Sequence, residues 1–128
     1  MATVKMAVFK SDRFRPFLPD DRQVNPNVLG FELATWLSKA LAENGVASSY
    51  PSEEDWGWYL IFPDGEDEYQ ICCSGSEDKP GEYEWRVFVN PVKRLLRKAP
   101  SREMADELFE SAVDCLNQSG IDVVLEEE

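Results

Sequence analysis

The sequence predicts an α+β fold: a two-layer sandwich in which a mostly antiparallel sheet of about five strands carries two helices on one face. Three observations lead there. The periodic segments run strand, helix, three or four strands, helix, strand. The alternating strand and helix units that build a parallel sheet are missing. Two turn signals, "PDGED" at 63–67 and "GSEDKPGE" at 75–82, divide the middle of the chain into successive hairpins. No internal repeat and no linker interrupts the order, so residues 1–128 read as one domain.

The first strand candidate is "TVKMAVFK", with Val4, Met6 and Val8 on one face and Lys5, Ala7 and Phe9 on the other. Residues 11–25 follow without a period and with mixed charge, as a long connection pinned to the core by Phe14, Phe17 and Leu18. A helix is expected from Pro26 to Asn44, with Asn25 as its cap, Pro26 at the first helical position and Gly45 closing it. Its buried stripe is Leu29, Leu33, Trp36, Leu37, Ala40 and Leu41. After a short strand at "VASSY" come "WGWYLIF", "EYQICCS" and "EYEWRVFVN" as three strands. Ser101 caps the second helix, whose stripe is Met104, Leu108, Ala112, Cys115 and Leu116, and Gly120 ends it. "IDVVLEEE" is the last strand, running into an acidic tail.

In an extended chain Trp56, Trp58, Leu60 and Phe62 share one face, which is large and apolar enough to lie beneath the helices. Tyr59, Ile61, Cys72, Arg86 and Phe88 fall on the opposite face, around a gap left by Gly57. Two helices cover one side of such a sheet. Tyr59, Ile61 and Phe88, with Arg86 as a cationic handle, therefore form a candidate contact surface. The alternatives are that the 11–25 loop folds across this face, or that a homodimer covers it.

Composition sets the remaining bounds. The 128 residues can bury roughly two-thirds of the surface that the unfolded chain exposes, with no disulfide or metal required for folding. The start of the chain has no leader-like pattern and no segment approaches a membrane span, so a soluble cytoplasmic protein with three reduced cysteines is expected. The formal charge of −12 disfavours nucleic acid and anionic membrane as partners and favours a basic protein. Residues 53–84 hold eleven acids against Lys79 alone, whereas residues 93–102 hold Lys93, Arg94, Arg97, Lys98 and Arg102 and no acid. In that basic segment Val92, Leu95 and Leu96 are expected to tuck inward while the cations face out, offsetting the acidic hairpins.

The chemistry that the residues exclude is specific. With no histidine in the chain, every catalytic dyad or triad that uses imidazole is ruled out, as are histidine zinc sites. Phosphate-binding glycine loops and Cys-x-x-Cys pairs are absent as well. Glu53, Glu54 and Asp55 are three consecutive carboxylates, without the spacers and glycine bend of a calcium loop, and read as a solvated acidic rim. No metal and no cofactor is expected. The favoured reading is a non-enzymatic protein-binding or regulatory module, in one form an inhibitor or immunity-type protein that presents carboxylates to a basic partner. The alternative is a small-molecule-binding domain or carboxylate-dependent enzyme with a pocket near residues 11–25 and 53–59, lined by Arg15, Trp56, Tyr59 and Arg86.

Overall fold

The computed structural model describes residues 5–23 and 28–127. Six strands form one sheet: β1 (Lys5–Lys10), β2 (Ser52–Glu54), β3 (Gly57–Asp64), β4 (Asp67–Lys79), β5 (Glu82–Pro91) and β6 (Val124–Glu127). Their order across the sheet is β2-β3-β4-β5-β1-β6, and every pairing is antiparallel. Helices α1 (Phe31–Glu43) and α2 (Arg102–Gln118) complete the α+β fold. The sheet thus has one strand more than expected. The extra one is β2, formed by the acidic Ser52–Glu54 itself. Residues 46–50 are not a strand, although the Ser49 N–H donates to the Ile61 carbonyl at 2.9 Å.

The three central strands form the predicted meander. Asp64 pairs with Asp67 across a tight turn in which Gly65 has φ +64°, and Lys79 pairs with Glu82 across a turn in which Gly81 has φ +84°. Both turns need a residue that tolerates the left-handed region, and glycine does so without steric cost. Strand β4 runs on through Gly75, Ser76 and Glu77, which the sequence reading assigned to a turn.

The register sorts side chains onto two faces. Phe9 stands opposite Trp85 and Ala7 opposite Val87; Ile71 faces both Leu60 and Val89, and Cys73 faces both Trp58 and Val87. These residues and the stripes of both helices belong to one buried cluster, so the helices cover this inner face. Trp85 is fully buried, and its indole lies over Gly75, its partner on β4. Its Nε1 donates to the Ser11 carbonyl at 2.8 Å, which ties the start of the long connection to the core. Phe14 follows it in, with its ring 5.3 Å from Trp36 and 6.1 Å from Trp85.

Helix α1 starts later than expected. Its cap is Gly30, with φ +129° and no side-chain hydrogen bond, and Val28–Gly30 are not helical; the expected Asn25 cap and Pro26 lie outside the described residues, as does Val4. The reason for Gly30 is tertiary. A Cβ there would lie 2.7 Å from the Cys73 carbonyl oxygen, so only glycine lets the helix start sit directly on β4. Helix α2 begins as expected, with the Ser101 hydroxyl accepting from the Met104 N–H at 3.4 Å. The turn that closes it contains Gly120 at φ +86°.

Candidate functional site: the outer face of the sheet

The outer face is assembled from alternate residues of all six strands. One lateral row runs Ser52, Tyr59, Cys72, Phe88, Met6 and Glu126. Beside it Ser74, Arg86, Val8 and Val124 form a second row, and Ile61, Gln70 and Asn90 form a third. Neither helix reaches this side, because the inward residues of both belong to the opposite cluster. The described part of the long connection does not cross it either: Phe14 anchors that segment among Phe9, Trp36 and Trp85 on the inner side. The sheet therefore brings the expected Tyr59, Ile61, Arg86 and Phe88 onto one surface, each of them half-buried.

The two tryptophans part company, contrary to the sequence expectation. Trp58 points inward and meets the Phe31 ring at 5.0 Å. Trp56 does not join it under the helices. Glu54 pairs with Gly57, so Asp55 and Trp56 form the turn between β2 and β3, and alternation along an extended chain does not apply to them. The Trp56 ring, 43 % exposed, instead reaches 5.9 Å from Phe88 on the outer face. The same turn places Glu54 and Asp55 at the margin of the aromatic patch, with Glu53 on the edge strand beside them; all three are exposed. Nor does Gly57 leave a gap: it is buried, and a Cβ there would run into the Cys73 carbonyl oxygen and approach the Ser74 Cβ to 3.2 Å. Its role is close approach of strands.

Charge on this face is nearly balanced at its centre. The Arg86 guanidinium donates to Glu84 at 2.6 Å, and Glu84 also faces Lys10 across the β1–β5 pairing. Cys72 lies at the middle of the aromatic row and is fully buried, so burial pushes its thiol up to about 12. A thiol held that far above neutrality is no nucleophile.

The expected lining of a pocket near residues 11–25 and 53–59 is not assembled, because Trp56, Tyr59 and Arg86 lie on the outer face, away from the loop. A cleft between the 11–25 loop and Trp58 does exist on the helix side, with other lining residues. It measures about 130 Å³, is mostly apolar, and is walled by Leu18, Val28, Leu29, Phe31 and Trp58, with Arg22 and Glu32 also lining it. Burial raises the Glu32 carboxyl above the usual range, partly offset by hydrogen bonds from its own N–H and that of Phe17. The sequence placed a pocket near these two segments, and Leu18, Arg22 and Trp58 do line this one; the part of its wall from Val28 to Glu32 was missed because the expected helix start at Pro26 hid the non-helical Val28–Gly30. Among the described residues no helix is long and apolar enough to cross a membrane, and no group of three or more cysteine, aspartate or glutamate side chains is arranged to hold a metal ion.

The basic segment also departs from expectation. Leu95 and Leu96 do not tuck inward; they stand 89 % and 96 % exposed. Three of the cations turn back instead: Arg94 pairs with Glu68, Arg97 with Glu66 at 2.6 Å, and the Lys93 ammonium donates to backbone carbonyls of its own turn. No known family pattern matches the chain, and neither the curated proteins nor the solved structures contain a similar one.

Proposed function

We propose that the chain is a non-enzymatic protein-docking module whose contact surface is the outer face of the sheet. Trp56, Tyr59, Ile61 and Phe88 supply apolar area, Arg86 supplies a directional donor, and Glu53, Glu54 and Asp55 supply an acidic margin toward a partner with a basic face. The observation that carries this reading is the aromatic patch itself: an uncovered sheet face on which Trp56 lies against Phe88 beside three exposed carboxylates. Aromatic and arginine side chains at the centre with charge at the rim is the usual anatomy of a protein interface. An inhibitor or immunity-type protein, which sets carboxylates where a basic enzyme expects phosphates, is the form that suits a charge of −12.

The test is co-purification from the source cells with the wild-type chain, with Phe88→Asp, and with Glu53, Glu54 and Asp55 all changed to Lys. A basic protein recovered with the wild type and lost with both variants, while circular dichroism is unchanged, is the expected result. Retention of that protein by both variants overturns the reading. A second reading, a small apolar ligand in the cleft beside Trp58, draws on the 130 Å³ of space there, close to the size that admits a benzene-sized guest. Leu29→Trp, which would fill the cleft, separates the two: it abolishes ligand binding and spares docking on the sheet face.

A further inference from the structure

Strand β6 (Val124–Glu127) ends the sheet, and only its β1 side is paired. Along its other side, alternate residues turn an N–H and a C=O outward with no strand beside them among the described residues. Such a row is a template for one more extended backbone. The opposite edge is blunted: β2 has three residues and follows Pro51, which has no N–H to offer. No proline interrupts β6.

The side chains of β6 are exposed on both faces of the sheet. Val124, opposite Val8 on the outer face, is 64 % exposed, and Leu125, opposite Ala7 on the inner face, is 62 % exposed. The helical cover stops short of them, since α2 packs on β5, β4 and β1. Glu126 and Glu127 are also exposed, opposite Met6 and Lys5. No ion pair among the described residues engages either carboxylate. An edge built only to repel would carry charge along its whole length. This one leaves its first two residues apolar.

We propose that β6 is the docking edge for an extended segment of a partner protein in which two basic residues are followed by two apolar, β-branched ones. The open backbone selects an extended chain, and the side chains select its order. Every ladder in the sheet is antiparallel. An incoming strand in that sense sets its basic pair against Glu127 and Glu126 and its apolar pair against Leu125 and Val124, so that each face of the sheet gains one apolar and one charged cross-strand contact. A slip of one residue sets a cation against Leu125 or an apolar residue against Glu126, which fixes the register. Neither edge of a second copy offers this pattern, because β2 is Ser-Glu-Glu and β6 is the acidic strand itself. The edge is also separate from the aromatic patch: Tyr59 and Phe88 lie on β3 and β5, and β1 stands between β5 and β6.

The experiment titrates the isotope-labelled full chain with the peptide acetyl-Thr-Lys-Arg-Val-Ile-Thr-amide, up to about 1 mM, and follows the amide spectrum. Expected are saturable shifts confined to β6 and β1, with alternate β6 amides gaining protection from hydrogen exchange. Of two peptides N-methylated on alternate residues in opposite phase, one should bind and the other should not, since a single edge of the peptide backbone meets β6. Glu126→Lys together with Glu127→Lys should weaken binding at least about tenfold and should create binding of the peptide in which Glu-Asp replaces Lys-Arg, a gain that a misfolded variant cannot give. Absence of a saturable shift, equal affinity for the two N-methylated peptides, shifts centred on Tyr59 and Phe88 or on Ser52–Glu54, or failure of the charge swap overturns the proposal. Phe88→Asp, aimed at the outer face, should leave the peptide affinity unchanged, so the edge and the aromatic patch fail separately.

Discussion

Gly75→Ala probes the contact that decides which side of the sheet is scaffold. A Cβ on Gly75 would collide with Cε3 of Trp85, lie 2.5 Å from Cζ3 and lie 3.3 Å from Cδ2. The indole cannot swing aside: it is fully buried, held by the hydrogen bond to the Ser11 carbonyl at 2.8 Å, and flanked by the Tyr83 ring at 5.7 Å and the Phe14 ring at 6.1 Å. Overpacking of this kind costs about 1–3 kcal/mol, from which roughly 0.5–1 kcal/mol is recovered because alanine loses less chain entropy than glycine on folding. A net loss of about 1–2 kcal/mol is expected. Trp85→Leu alone should cost about 3 kcal/mol or more, through the cavity and the orphaned carbonyl. Combined, the two changes should cost less than their sum, because the atoms that the new methyl would strike are gone; the coupling should reach about 1–2 kcal/mol. Equilibrium urea denaturation of the four proteins, read at constant slope, measures it. Additivity to within about 0.5 kcal/mol would refute the close contact, and with it the assignment of the inner face.

Two further outcomes follow from the buried titratable groups. Cys72 and Cys73 should react with a thiol reagent at pH 8 at least about a thousandfold more slowly in the native protein than in urea, since reaction requires opening; Trp56→Ala should accelerate Cys72 and not Cys73, and the reverse would place the Trp56 ring elsewhere. Burial raises the Glu32 carboxyl, so the folded state holds its proton above the ordinary value of 4.5. Stability should therefore fall as pH rises from that value through the raised one. Glu32→Gln, which keeps an acceptor for the Phe17 N–H, should raise the melting midpoint at pH 7 and leave it unchanged below about pH 4.

Features governed by local rules were legible in the sequence. Helix α2 needed only Ser101, its stripe and Gly120, and the meander needed only alternation and two glycine turns. What escaped depends on contacts distant in the chain. Leu95 and Leu96 were assigned inward by local amphipathicity, yet their orientation is set by Glu66 and Glu68 on another hairpin, which capture the intervening arginines. The start of α1 is set by the Cys73 carbonyl against Gly30, which no capping pattern announces. For Trp56 a signal was present: "SEEDWGWY" can pair with itself only if Asp55 and Trp56 are the turn, and a turn residue escapes the alternation that governs Trp58. The outer-face set was legible because its residues lie well inside β3 and β5, where period two holds without interruption.

The two open edges of the sheet bear on the choice of partner. Strand β2 carries Glu53 and Glu54 at one edge, and β6 carries Glu126 and Glu127 at the other, all of them exposed. An unpaired edge is a template for another strand, and acidic side chains along it are a means of refusing the wrong one. Two copies meeting edge to edge would set carboxylates against carboxylates, so the sheet cannot extend itself into a fibre or an edge-paired dimer without strong repulsion. On the proposed docking function, the same residues would attract a basic protein and hold it near the aromatic patch while it orients, an effect that raises the association rate and fades with salt. Association with a basic partner should therefore slow steeply as ionic strength rises while the dissociation rate changes little, since the long-range field acts on the encounter and the short-range packing of Trp56, Tyr59 and Phe88 acts on the bound state.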